Sequence, residues 1–151
     1  MADEVKESSS SSLHKGKLEL EDAKVVGYEL ARTALLTASE HGYLDLSTIH
    51  RILDFGSGLG GPTLAIIDTT KPYKPHIDAI ERQQIFVQLS SQLGILPSEN
   101  IIHGNGIEYL KQFSQSGIVP YDLITAFRLG PDPQGRIFRE IAASTITSLT
   151  P

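Results

Sequence analysis

The stretch Arg51-Ile52-Leu53-Asp54-Phe55-Gly56-Ser57-Gly58-Leu59-Gly60-Gly61-Pro62 decides the fold. Its first five residues are a short, mostly apolar run of the kind buried in a parallel sheet. A glycine cluster follows. Glycine lets the backbone turn tightly and approach a ligand with no Cβ in the way. Pro62 then stands where a helix begins, since proline is favoured at the first helical position. Strand, glycine loop and helix in that order open a βαβ unit. The helix N-terminus aims free N–H groups and a positive dipole end at whatever the loop holds.

Downstream the same alternation repeats. Residues 63–68 read as a short helix, broken by Lys71-Pro72-Tyr73-Lys74-Pro75. Residues 76–80 read as a second strand. Residues 82–93 read as a crossover helix with Ile85, Phe86, Leu89 and Leu93 on one face and Gly94 closing it. Residues 100–103 read as a third strand, 106–113 as a helix and 121–127 as a fourth strand. Residues 134–149 read as a last helix with Ile137, Phe138, Ile141 and Ile146 inward. Upstream, residues 18–41 carry Val25, Val26, Leu30, Ala34, Leu35 and Ala38 at helical spacing, with Gly42 as the stop. Strands alternating with helices predict an α/β fold: a parallel sheet, right-handed crossovers and helices on both faces.

Composition agrees. A chain of 151 residues is one domain's worth. Residues 1–17, with the run Ser8 to Ser12, hold almost nothing apolar and read as a disordered tail. The domain is expected over 18–151. There is no Cys, which excludes disulfides and thiolate chemistry. No apolar run approaches the roughly 18 residues of a membrane span. The first 17 residues show no apolar signal core, so a cytoplasmic protein is expected. The net charge of -5 lies in the body of the chain, with no basic cluster for duplex nucleic acid. No paired-histidine spacing points to a metal.

In open α/β sheets ligands bind beyond the carboxyl ends of the strands, and four groups lie there. Gly56, Gly58 and Gly61 satisfy G-x-G-x-x-G, the dinucleotide pattern. Asp54, Gly56, Gly58 and Gly60 satisfy D-x-G-x-G-x-G as well. The acid separates the two, because a pyrophosphate does not welcome a carboxylate there and an ammonium group does. Glu81, directly after the second strand, is placed to accept from both hydroxyls of a ribose, or else to cap a helix. Asn105, after the third strand, offers an amide oxygen to an adenine amine, or caps the next helix; Ile107 is placed to pack on the ring. Phe127-Arg128-Leu129-Gly130-Pro131-Asp132 follows the fourth strand and is expected to wall the reactive end of the ligand.

In combination and order these groups resemble a class I S-adenosylmethionine (SAM)-dependent methyltransferase, a Rossmann-like fold. Residues 54–60 resemble that family's glycine-rich motif, and Glu81 its ribose-binding acid. Residues 103–110 resemble its adenine-binding segment, with Asn105 where Asp is more usual, and residues 121–127 its fourth-strand motif. The helix expected over 18–41 resembles the one that often covers the cofactor. The resemblance spans about residues 18–151. It implies SAM as cofactor, held by Asp54, Gly56, Ser57, Gly58, Gly60, Glu81, Arg82, Asn105, Gly106, Ile107 and Phe127. It implies SN2 methyl transfer to an acceptor, whether small molecule, protein or RNA. No catalytic base is assigned; His103, within a strand, reads first as a core residue. The family's sheet order is 3-2-1-4-5-7-6, and this chain supplies the 3-2-1-4 part. A C-terminal segment or an oligomer is then expected to complete the sheet. Two other readings stand beside it: an NAD(P)-dependent oxidoreductase domain, and a non-catalytic SAM-binding half-domain.

Overall fold

The computed structural model describes residues 17–116, 120–127, 136 and 139–140. Four strands form one parallel sheet: β1 (Arg51–Phe55), β2 (His76–Glu81), β3 (Ile101–His103) and β4 (Leu123–Thr125). Their order is β3-β2-β1-β4. The helices are α1 (Leu20–Lys24), α2 (Tyr28–Glu40), α3 (Gly61–Thr70), α4 (Gln84–Leu93) and α5 (Gly106–Ser116).

Strand alternation divides the core. Ile52, Ile77, Ala79 and Ile101 pack on one face with Ala23, Leu35, Leu64, Ile66, Ile95 and Leu96. Leu53, Phe55 and Ile80 pack on the other with Leu110 and Tyr121. The right-handed crossover explains the split. From β1 to β2 to β3 the chain advances outward, so α3 and α4 lie on the first face. It then returns past β1 to β4, so α5 lies on the second. The reversal between β2 and β4, on either side of β1, is the switch point where such sheets bind ligands.

Side chains pin the outer strands. Asp122 Oδ2 accepts the backbone N–H of His50 at 2.8 Å and of Arg51 at 3.0 Å, which sets β4 against β1. These bonds hold the Asp122 carboxyl below its ordinary pKa. Asn100 Nδ2 donates to the Ile77 carbonyl at 3.0 Å and sets β3 against β2. On the second face Tyr121 OH donates to Asp78 Oδ2 at 2.8 Å, and Tyr109 OH lies 2.8 Å from Tyr121 OH. Asp78, inside a strand, is thereby a satisfied core carboxylate.

Some expectations need correcting. Residues 18–41 are not one helix. Gly27, at φ +86, stands between α1 and α2 as the N-cap of the second, a left-handed conformation that glycine adopts without strain. The break rotates the expected face. Ala23, Ala31 and Leu35 are buried, while Val25, Val26 and Leu30 are exposed. In α4, Ile85 is exposed as well. Val87 and Leu93 pack on the core, and Ser90 between them is buried. The helix expected over 63–68 begins earlier, at Gly61, and runs to Thr70. The fourth strand is shorter than expected at Leu123–Thr125. The expected tail over 1–17, save Lys17, and most of the helix expected over 134–149 lie outside the described residues. Among the described residues no helix is long and apolar enough to cross a membrane.

Candidate functional site

At the carboxyl ends of β1, β2 and β3 lies a cavity of about 420 Å³. Its lining includes Phe55, Gly56 and Gly58 from the first strand end, Ile80 to Gln83 from the second, and Gly104 to Ile107 from the third. Phe86, in the first turn of α4, adds an apolar wall. Arg136 and Glu140, paired at 3.9 Å, also line it. A cavity of this size, part apolar and part polar, suits a nucleoside-sized ligand.

The glycine loop is stitched to the neighbouring strand. Gly56 and Ser57 donate to the Ile80 carbonyl at 2.8 and 3.3 Å, and Gly60 donates to the Ser57 carbonyl at 3.0 Å. Gly56, Gly58 and Gly60 all have positive φ. Gly60 carries a second constraint. Its φ is +108, and a Cβ there meets Ile95 Cδ1. Any side chain at position 60 therefore strains the backbone and displaces a core residue.

Glu81 is the centre of the site. One carboxylate oxygen accepts the Gly58 N–H at 2.8 Å and the other accepts the Gln83 N–H at 2.8 Å. The residue is 8% exposed and faces the cavity. An ionised carboxylate has about four lone-pair positions. Two are taken here, and one remains on each oxygen, which suits two adjacent hydroxyls.

Asn105 takes the second of the two tasks the sequence offers it. Its Oδ1 accepts the N–H of Ile107 at 2.9 Å and of Glu108 at 3.2 Å. That is a helix cap for α5, and both lone pairs of the oxygen are used. An adenine amine therefore finds no acceptor at this oxygen; the side-chain nitrogen and the backbone are what Asn105 offers. Gly106, next to it, packs its Cα side on Phe55, and a Cβ there would run into the ring.

Asp54 lies beneath the loop and outside the cavity lining. It is 1% exposed. Its Oδ2 accepts the Thr63 hydroxyl at 2.6 Å, and its Oδ1 accepts the Thr125 hydroxyl at 2.9 Å. The carboxylate thus ties β1 to the first turn of α3 and to the end of β4. Burial pushes its pKa up to about 6 from the ordinary 3.8, against the lowering effect of both hydroxyls; the nearby Glu81 charge pushes the same way as burial. The sign for stability follows. Between about 4 and 6 the folded state holds a proton that the unfolded state has released, so stability from this group falls as pH rises and stays low above 6. A neutral isostere removes that cost. Asp54→Asn is expected to raise stability at pH 7 by about 1–2 kcal/mol, the gain shrinking as pH falls towards 4. Urea titrations at pH 7 and 4.5 check this; an equal effect at both values contradicts it.

Of the sequence-derived candidates, the fold brings Gly56, Gly58, Glu81, Arg82, Asn105, Gly106 and Ile107 to one cavity. It does not bring Asp54, Ser57, Gly60 or Phe127 to that lining. Ser57 and Gly60 instead border a small internal void with Thr63 and Ser90. Phe127 packs against the first core cluster, and residues 128–132 lie outside the described residues. His103 is exposed, not buried, and its Nε2 donates to the Arg82 carbonyl at 3.0 Å. Sequence reasoning missed Gln83 and Phe86. The hint for both was their position at the start of the helix that follows Glu81. Nothing local marks Arg136 or Glu140.

Among the solved structures similar to this chain are two methyltransferases. A SAM-dependent methyltransferase from Archaeoglobus fulgidus aligns with a TM-score of 0.51 at 17% identity, covering 86% of this chain. Human methyltransferase-like protein 13, solved with S-adenosylhomocysteine (SAH), aligns with a TM-score of 0.55 at 24% identity, covering 87% of this chain. The chain has the class I SAM-dependent methyltransferase fold. It spans 52% and 61% of the lengths of those two chains. No protein-family model matches the sequence, and no curated protein does. The order β3-β2-β1-β4 is the part of this fold that carries the glycine loop and the acid after β2.

Proposed function

We propose that this chain binds SAM in the cavity at the ends of β1, β2 and β3, as the cofactor half of a methyltransferase. The observation that carries the reading is Glu81. Its carboxylate is anchored by two backbone N–H groups and turns its remaining lone pairs to a cavity of nucleoside size. The residues fit the group. Glu81 takes the ribose hydroxyls, Ile107 and Phe86 offer apolar surface to the adenine, and the loop 56–60 gives the methionine moiety close backbone approach.

When bound, SAM supplies a methyl group on a sulfonium that is already activated for SN2 displacement. Glu81, Ile107, Phe86 and the loop 56–60 would hold it with that methyl group open to an acceptor's lone pair. The protein's part is alignment and exclusion of water. The acceptor is left open among small molecules, proteins and RNA.

The NAD(P) reading is weaker on two counts. The amides of Gly56, Ser57, Gly58 and Gly60 all donate to protein acceptors, so those four are committed before a pyrophosphate arrives. The buried Asp54 carboxylate adds a negative charge below the same loop. Competition tests this. A fluorescent SAM analogue is expected to bind, to be displaced by SAH, and to stay bound in excess NADH or NADPH. Displacement by the nicotinamide cofactors and not by SAH would sink the proposal.

A further inference from the structure

The peptide group that joins Arg82 to Gln83 is held from both edges. Its N–H, that of Gln83, donates to Glu81 Oε1 at 2.8 Å. Its carbonyl, that of Arg82, accepts from His103 Nε2 at 3.0 Å. A trans peptide is planar, with its N–H and C=O pointing opposite ways. Glu81 and His103 therefore grip one rigid plate from opposite sides. Arg82 and Gln83 both line the cavity, so that plate is part of its wall. His103 is well placed for the task. It ends β3 and is the register partner of Glu81, which ends β2. Gly104, the next residue, donates its N–H to the Glu81 carbonyl at 3.0 Å. The end of β3 thus holds the backbone of Glu81 as well as the peptide on which its side chain rests.

Resting on the reading of Glu81 as the acid that takes the ribose, we propose that His103 is a positioning residue for the cofactor. It orients the Arg82–Gln83 peptide, and through that peptide the direction in which Glu81 Oε1 turns its remaining lone pair. The side chain of His103 is exposed and takes no part in the cavity lining, so it acts on the ligand through other groups. A carbonyl oxygen accepts and does not donate, so Nε2 carries the ring hydrogen in this arrangement. The rotated peptide is the state that His103 disfavours. With the plate turned over, the Arg82 carbonyl faces the Glu81 carboxylate, acceptor against acceptor, and Oε1 loses the Gln83 N–H. The His103 bond adds to the observed orientation and polarises the peptide, which makes its N–H a better donor to Glu81.

Binding of SAH, measured by calorimetry, tests this apart from any turnover. His103→Leu keeps an apolar side chain of moderate size and removes the donor. His103→Gln returns an amide N–H at similar reach. Because position 103 is exposed, neither change opens the core. His103→Leu is expected to weaken SAH by about three- to tenfold, the worth of one net hydrogen bond. His103→Gln is expected to recover most of that loss. The route through Glu81 is tested by a double-mutant cycle. In a Glu81→Gln background, His103→Leu should cost less than about twofold, because the group it positions is already altered. Unchanged binding in His103→Leu, a loss in His103→Gln as large as that in His103→Leu, or an equal cost in both backgrounds overturns the inference while the SAM site stands. If SAH does not bind the parent, the functional reading falls and this inference with it.

Discussion

Glu81→Gln is expected to weaken SAH binding by about 2–3 kcal/mol, roughly 30- to 150-fold. The amide keeps one acceptor oxygen and replaces the other by a donor. In the structure both carboxylate oxygens accept, one from Gly58 and one from Gln83, each at 2.8 Å. The Gln side chain therefore sets an N–H against an N–H on one side or the other. The ribose loses an acceptor, and either the Gly58 or the Gln83 bond is lost with it, while the Gly56 and Ser57 bonds to Ile80 remain. Calorimetric titration of parent and variant with SAH measures the effect. A ligand lacking the ribose hydroxyls offers the complementary reading: it should bind weakly to the parent, and Glu81→Gln should cost it much less. Equal losses for both ligands would mean that Glu81 only braces the loop.

The second large effect is on stability. Leu110→Ala is expected to destabilise the fold by about 2–5 kcal/mol. Leu110 is fully buried in α5 against Leu53, Phe55, Ile80 and Tyr121. That cluster, with Ile107, Tyr109 and Phe113 of α5 packed against it, holds α5 on its face of the sheet. Ile85→Ala is the control, because Ile85 is exposed on α4 and should change stability by less than about 0.5 kcal/mol. Urea unfolding of both variants separates the cases. A small effect at Leu110, or a large one at Ile85, would contradict the assignment of core faces.

The sheet was legible in the sequence because the punctuation is strong. An apolar run ending in glycines, then Pro62, leaves little choice for residues 51–62, and β1 matches at Arg51–Phe55. The acid after β2 was legible for the same reason, since position at a strand end limits what a carboxylate can do. What periodicity hid was rotation. Val25 and Val26 belong to the same helix as Leu35 only if Gly27 continues it, and at φ +86 it does not; Leu30, in the same helix as Leu35, lies about 140° around from it. Asp54 was legible as a distinctive acid but not as a buried one. Its partners Thr63 and Thr125 lie 9 and 71 residues away, and no local pattern links them. Asn105 shows the opposite limit. A helix cap and a ligand contact call on the same side-chain oxygen, and a sequence cannot say which use prevails.

The most direct test of the account is titration of the parent chain with SAH by calorimetry at pH 7, followed by the same titration of Glu81→Gln. The prediction is saturable one-to-one binding to the parent and a drop of at least about 30-fold in the variant. Absence of binding to the parent, or equal affinity in the two proteins, would contradict the claim that this cavity is a cofactor site built around Glu81.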